Sequence, residues 1–162
     1  MKHLSIITLS IISLNLFPDS TLIKFNTLIK NDLIFKQKSL DFNNELSESL
    51  GSLVHKDNKI TINIESPYKE RYQINEKTID VYDFDFEQSR SILIDEFNIG
   101  ILDYLINGIL DKKLITNLSI NSITLEDNQK EIYIELVSND KFFIKYKDNI
   151  GITNLVDFEV KY

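Results

Sequence analysis

Polar and apolar residues alternate strictly over residues 59–65, KITINIE, so that Ile60, Ile62 and Ile64 fall on one face of an extended chain and Thr61, Asn63 and Glu65 on the other. Tyr72 and Ile74 continue the alternation in a second strand, and Ile79, Val81 and the region of Tyr82 form a third. Strands are also predicted over residues 120–125, 131–137, 141–147 and 153–162, separated by Asp127-Asn128, Asn139-Asp140 and Asp148-Asn149, pairs that suit tight turns. Successive hairpins of this kind imply an antiparallel sheet. Helical period appears twice. Leu22, Phe25, Leu28 and Ile29, with Lys24 and Lys30 between them, predict a short amphipathic helix before the chain becomes extended over residues 33–37. Ile101, Leu102, Leu105, Ile106, Ile109 and Leu110 form a helical stripe within residues 98–114, with Gly108 as its weak point.

An apolar run precedes these elements. Lys2 and His3 lead into residues 4–17, LSIITLSIISLNLF, of which nine of fourteen are apolar and none is charged, and Pro18 and Asp19 end it. Such a run is too short to cross a hydrocarbon layer of ~30 Å comfortably, but it has the length of a signal-peptide core. On this reading residues 1–20 are an export signal and residues 21–162 a single domain. A buried first strand or an uncleaved anchor helix stays open as the alternative, because no Ala-x-Ala cleavage site follows.

The 162 residues, 43% of them hydrophobic and 27% charged, suit one globular domain with a real core. With 18 basic and 25 acidic side chains the net charge is -7, which argues against nucleic-acid binding. Absence of cysteine removes disulfides, thiolate metal sites and a cysteine nucleophile together. His55 is the one histidine beyond the export signal, and no Gly-x-Ser-x-Gly elbow accompanies it, so neither a catalytic triad nor a zinc site is expected. Asp83, Asp85 and Glu87 alternate with Tyr82, Phe84 and Phe86; in a strand these carboxylates would share a face and could hold calcium. A solvated face opposite a buried aromatic one is the simpler reading, since no glycine-containing ligand loop is present. The residues thus offer no hydrolase constellation, and a solvated acidic face is favoured over a calcium site. Pattern alone favours helices that fill the concave face of the sheet as ordinary core over helices that cover it as a lid.

Residues 66–88, SPYKERYQINEKTIDVYDFDFEQ, carry a more specific signal. Pro67 ends a strand, Asn75, Glu76, Lys77 and Thr78 occupy a hairpin turn, and Tyr82, Asp83, Glu87 and Gln88 follow. Upstream stand Phe35, Lys36 and Gln37, then Gly51, Ser52 and Leu53. This series resembles the LolA family of periplasmic carriers of outer-membrane lipoproteins, in which a strand ends at Pro, an Asp-Gly-Lys-Thr-like turn follows, and the next strand runs into Tyr-Asp/Asn-x-x-x-Glu-Gln. The resemblance extends over residues 21–162, sharp from 35 to 88 and weak afterwards.

It implies a mainly β fold: an unclosed antiparallel β-barrel, a highly curved sheet, capped by two to three helices that form a lid over an apolar cavity for acyl chains. Ile60, Ile62 and Ile64 from the sheet, with Leu22, Phe25, Ile101, Leu102, Leu105 and Ile106 from the helices, are the lining that it implies. Lys56 falls where the better-known carriers place an arginine that latches the lid; lysine keeps the charge but loses the planar fork of donors. Ile60 and Ile62 stand where those carriers have aromatics, and Glu76 replaces the turn glycine. The function implied is that of a monomeric periplasmic carrier. It would take triacylated lipoproteins from an inner-membrane ABC-type lipoprotein-releasing complex and pass them to an outer-membrane receptor lipoprotein, with no bond made or broken. That receptor has a similar fold but is acylated on an N-terminal cysteine, so the lack of cysteine favours the shuttle. An envelope sensor, or another amphiphile-binding module of the same fold, is the alternative.

Overall fold

A computed structural model describes residues 17–43, 45–56, 59–75, 77–94, 108–110, 112–127, 130–148 and 150–162. One α-helix, α1 (Phe17–Leu28), precedes eleven strands: β1 (Leu33–Leu40), β2 (Leu46–Lys56), β3 (Lys59–Ser66), β4 (Glu70–Ile74), β5 (Thr78–Asp83), β6 (Gln88–Leu93), β7 (Ile115–Leu118), β8 (Ser122–Asp127), β9 (Lys130–Leu136), β10 (Lys141–Lys147) and β11 (Thr153–Val160). All join one antiparallel sheet in the order β6-β5-β4-β3-β2-β1-β11-β10-β9-β8-β7. Every neighbour is also a sequence neighbour except at the centre, where β1 pairs with β11 from Leu33↔Val160 to Leu40↔Thr153. The outermost strands β6 and β7 do not pair with each other, so the sheet is unclosed.

Turn chemistry fixes the hairpins. The Asp148 carboxylate accepts the N–H groups of Ile150 and Ile152, both at 3.0 Å, between β10 and β11. Asn75 N donates to Thr78 O at 2.9 Å between β4 and β5, where the hairpin turn is expected. Residues 84–87 depart from the expected strand: they form a tight turn between β5 and β6. Asp83 Oδ1 accepts from the N–H groups of Asp85 at 2.9 Å and Phe86 at 3.0 Å, and Glu87 closes the turn at φ 53. A short acidic side chain bonding its own backbone thereby overrides the aromatic alternation.

The helix expectation is met once among the described residues, not two or three times. α1 buries Phe25 and Leu28, followed by Ile29, as its pattern predicts, and Pro18 stands in its first turn, where a missing N–H costs nothing. The second predicted helix, with Ile101, Leu102, Leu105 and Ile106, lies mostly outside the described residues. Where that stretch is described it is not α-helical. Gly108 has φ 61, Leu110 N is taken by Asn26 Oδ1 at 2.9 Å, and Lys112–Leu114 is a single 3₁₀ turn.

One core spans the sheet. Phe25, Leu28, Ile29, Leu33, Leu53, Ile60, Ile62, Ile74, Ile79, Val81, Leu110, Ile123, Leu125, Ile132, Ile134, Leu136, Phe142, Ile144, Val156 and Phe158 belong to it. A twelve-residue helix is about 18 Å long, whereas eleven strands about 4.8 Å apart span roughly 48 Å if flat. α1 therefore covers only part of this face, and twisted sheets of such width bury the rest by curling.

Candidate functional site

The two ends of the inner face differ in polarity. Antiparallel register places the start of β1, β3, β5, β8 and β10 at the same end as the close of β2, β4, β6, β9 and β11. At that end the inward positions are Leu33, Leu53, Ile60, Ile74, Ile79, Ile123, Leu136, Phe142 and Phe158, all buried and apolar. Towards the opposite end the same face carries Gln37 and Ser39 on β1, Ser49 on β2, Glu70 on β4, Asp83 on β5, Gln88 and Arg90 on β6, Tyr146 on β10 and Asn154 on β11. On β1, β2, β4, β5, β6, β10 and β11 the interior is thus apolar at one end and polar at the other, while β8 and β9 stay apolar through Leu125 and Ile132.

α1 closes the apolar end. Its Phe25 ring meets Phe142 edge-on at 5.3 Å, and Phe142 stacks on Phe158 at 4.8 Å. Thr21 Oγ1 donates to Ile120 O at 2.6 Å, in the turn before β8, and Lys24 Nζ donates to Asn139 Oδ1 at 2.9 Å, in the turn before β10. Below the helix, Asp32 Oδ1 accepts from His55 N at 2.9 Å and the His55 ring faces Asn31 O through Nδ1 at 3.2 Å. His55 is therefore engaged with the end of α1 and has no second histidine beside it among the described residues.

The polar end has two sides. On one, the buried Asn154 accepts from Gln37 Nε2 at 2.9 Å and Ser39 Oγ at 2.7 Å, and donates to Ile152 O at 3.2 Å. Beside it, burial and then the Asp148 charge push the Tyr146 phenol up to about 12. On the other side lies a recess of about 190 Å³ lined by Glu70, Val81, Asp83, Gln88, Ser89 and Arg90. Tyr72 donates its hydroxyl to Glu70 Oε2 at 2.7 Å at its edge, and burial together with that carboxylate drives the Tyr72 phenol well above its ordinary range.

The residues expected to line a cavity fall as follows. Ile60, Ile62 and Phe25 are buried in the core, and Ile64 and Leu22 pack against it partly buried. Ile101, Leu102, Leu105 and Ile106 lie outside the described residues. Lys56, the latch candidate, is exposed at the end of β2, paired with Lys59 in the last register position of β2 and β3. Gly51 and Phe35, two separate pieces of the motif series, are register partners; a Cβ on Gly51 would lie 2.6 Å from Phe35 Cζ and would clash with Asn63 O. Asp83, Asp85 and Glu87 do not share a strand face. Asp85 Oδ2 accepts from Lys69 N at 3.1 Å, and no group of three or more potential ligands forms a metal site among the described residues. Reading from sequence placed Tyr72 with Ile74 but missed Glu70 and Arg90 as inner-face residues. Their signal was the parity shared with Ile74 and Ile92, which places them on the inward side of their strands.

Fold and site together define an open β-sheet wrapped around an amphipathic interior, closed by a helix at the apolar end. Among solved structures the chain is similar to the crystal structure of a LolA superfamily protein from Nitrosomonas europaea, with a TM-score of 0.46 and 10% identity over 90% of this chain and 94% of that one. No family model matches the chain, and no curated protein does.

Proposed function

We propose that this protein is a carrier for acylated cargo, holding acyl chains against the aliphatic part of its inner face with their polar ends at the opposite mouth. The observation that carries this reading is the polarity gradient along the inward positions, from Leu33, Ile60, Ile79 and Phe142 to Gln37, Glu70, Asp83 and Asn154. The inward positions of β1, β4, β5, β6, β10 and β11 turn polar at the same end, a division that an amphiphile has itself. Each buried CH₂ of a cargo chain contributes about 0.8 kcal/mol, so on the order of ten methylenes match the burial of Ile60, Ile62, Ile64 and Phe25, at about 1.5 to 3 kcal/mol each, that entry of the chain disturbs. The unpaired edges of β6 and β7 let the sheet spread without breaking a closed ring of hydrogen bonds.

The finer reading rests on the motif series from Phe35 to Gln88: a monomeric periplasmic shuttle, without enzyme activity, cofactor or metal, for triacylated lipoproteins. An inner-membrane ABC-type complex supplies the cargo, an outer-membrane receptor accepts it, and residues 1–20 direct export. α1 with Leu22 and Phe25, together with Ile101, Leu102, Leu105 and Ile106, serves as the lid, and Lys56 stands at the latch position. Such a carrier competes with a bilayer as apolar as itself, so loading needs external energy and unloading a tighter receptor.

Titration of the full-length chain with an apolar fluorescent probe, followed by competition with a triacylated lipopeptide, tests the reading. Saturation near one probe per chain and displacement by the lipopeptide are expected. Failure to bind the probe sinks the carrier, and binding without displacement replaces it with a module for another amphiphile.

A further inference from the structure

The recess at the mouth has a composition that plain acyl-chain binding does not require. Register brings its charged groups together: Glu70 faces Asp83, Asp83 faces Gln88, and Val81 faces Arg90 on adjacent strands. Each carboxylate has one oxygen engaged, and none of the described residues bonds the other. Glu70 Oε2 is engaged by the Tyr72 hydroxyl at 2.7 Å, and Asp83 Oδ1 by two turn N–H groups at 2.9 Å and 3.0 Å. Arg90 is exposed at the lip, one inward position along its strand from Gln88; its guanidinium makes no hydrogen bond or ion pair with the described residues, and its charge reaches the Tyr72 phenol. Val81, which is buried, forms the floor and joins the recess to the core.

We infer that this recess is a head-group site for a zwitterionic amphiphile, Arg90 taking the anionic group and the open oxygens of Glu70 and Asp83 taking the ammonium. The inference rests on the carrier reading and adds the chemistry of the cargo's polar end. A purely anionic head group meets two carboxylates beside one guanidinium. A divalent cation meets the guanidinium and finds two open carboxylate oxygens, where calcium needs six to eight oxygens. An ammonium and an anion on one short linker satisfy all three groups at once, through charge-assisted hydrogen bonds near the apolar floor. A recess of about 190 Å³ has the liquid volume of roughly six waters, the scale of a phosphoethanolamine group. Ethanolamine phospholipids and acylated peptides that end in an ammonium–carboxylate pair both present this chemistry.

Isothermal titration of the full-length chain with ligands of one chain length tests it. Lysophosphatidylethanolamine and an acyl-lysine zwitterion represent the two sources, with lysophosphatidylglycerol and an alkyl maltoside as the anionic and uncharged controls. One of the zwitterions, or both, should bind about tenfold more tightly than the controls, and the tighter one names the source. Arg90→Gln and Glu70→Gln should each shrink the ratio of zwitterion to maltoside affinity several-fold, with thermal unfolding confirming that both variants fold. Equal affinity for zwitterions and maltoside, or ratios that survive both substitutions, overturns the head-group site while leaving the carrier intact. If none of the ligands binds, the carrier reading falls and this inference with it.

Discussion

The two ends of the inner face are built from the same strands yet obey different rules. At the α1 end, Phe25, Leu33, Leu53, Ile79, Ile123 and Phe142 are at most 1% exposed, and the side chains have no polar work to do. At the mouth the inward groups are hydrogen-bonded, charged or open to water, and Gln37, Glu70, Tyr72 and Asp83 are only half-buried. Burial without compensation suits the first end and would be costly at the second, where each polar group needs a partner or solvent. Stability is therefore concentrated near α1, and side chains at the mouth can change without unfolding the domain.

The sharpest way to break this comparison is to place a charge at each end. Ile60→Glu, at the closed end, should cost about 4 kcal/mol or more by denaturant unfolding, because an ionised carboxylate would have no partner in the core. Ser49→Glu, on the same face at the mouth, should cost about 1 kcal/mol or less. Equal costs would mean that the mouth is as dry as the closed end.

A smaller effect should appear in alkali. The folded state holds the Tyr146 proton up to about 12 while an unfolded tyrosine loses it near 10, so the folded chain binds more protons between these values. Stability should be flat in this respect below pH 10 and fall by up to about 2 to 3 kcal/mol as pH rises through pH 12. Tyr146→Phe should remove that part of the slope in thermal melts, and absorbance titration should show late-ionising tyrosines, Tyr72 among them. An unchanged slope would place Tyr146 in water.

Gly51 marks the level at which the interior changes from apolar to polar, between Leu33 and Phe35 on one side and Gln37 and Ser39 on the other. Gly51→Ala should cost about 1 to 3 kcal/mol, because the Asn63 carbonyl and the Phe35 ring would both have to retreat. Phe35→Leu in the same chain should recover part of that loss if the ring carries a share of the clash.

The smallest effect concerns the hydrogen-bonded side of the mouth. Asn154→Ala leaves Ser39 Oγ without its acceptor and Gln37 Nε2 with Ser39 Oγ alone, and should cost about 1 kcal/mol, with water able to replace the missing partner. A loss as large as that of Ile60→Glu would show that this side is closed to solvent.

Strands were legible where one face is buried and the other wet. The prediction over residues 141–147 coincides with β10, and β3 exceeds its prediction by Ser66 alone, because Ile60, Ile62, Phe142 and Ile144 supply an unbroken apolar parity. β2 escaped reading, since the inward positions Ser47, Ser49 and Gly51 are small or polar and hide its period. β6, an edge strand with Gln88, Ser89, Arg90 and Ser91 exposed, has too few buried positions to show alternation. The polar inner residues Glu70, Asp83 and Arg90 read individually as ordinary surface charges.

The sequence by itself determined which residues share a strand face, where the Asp148 and Asn75 turns fall and which side of α1 is apolar, because these follow from local geometry with periods of two and 3.6 residues. Tertiary structure alone decided that the polar positions of β1, β4, β5, β6, β10 and β11 gather at one end while α1 seals the other. That outcome depends on cross-strand register, set by hydrogen bonding between segments more than a hundred residues apart, such as Leu33↔Val160. No local pattern encodes which end of a strand meets which end of another; the shared burial of one continuous face selects it.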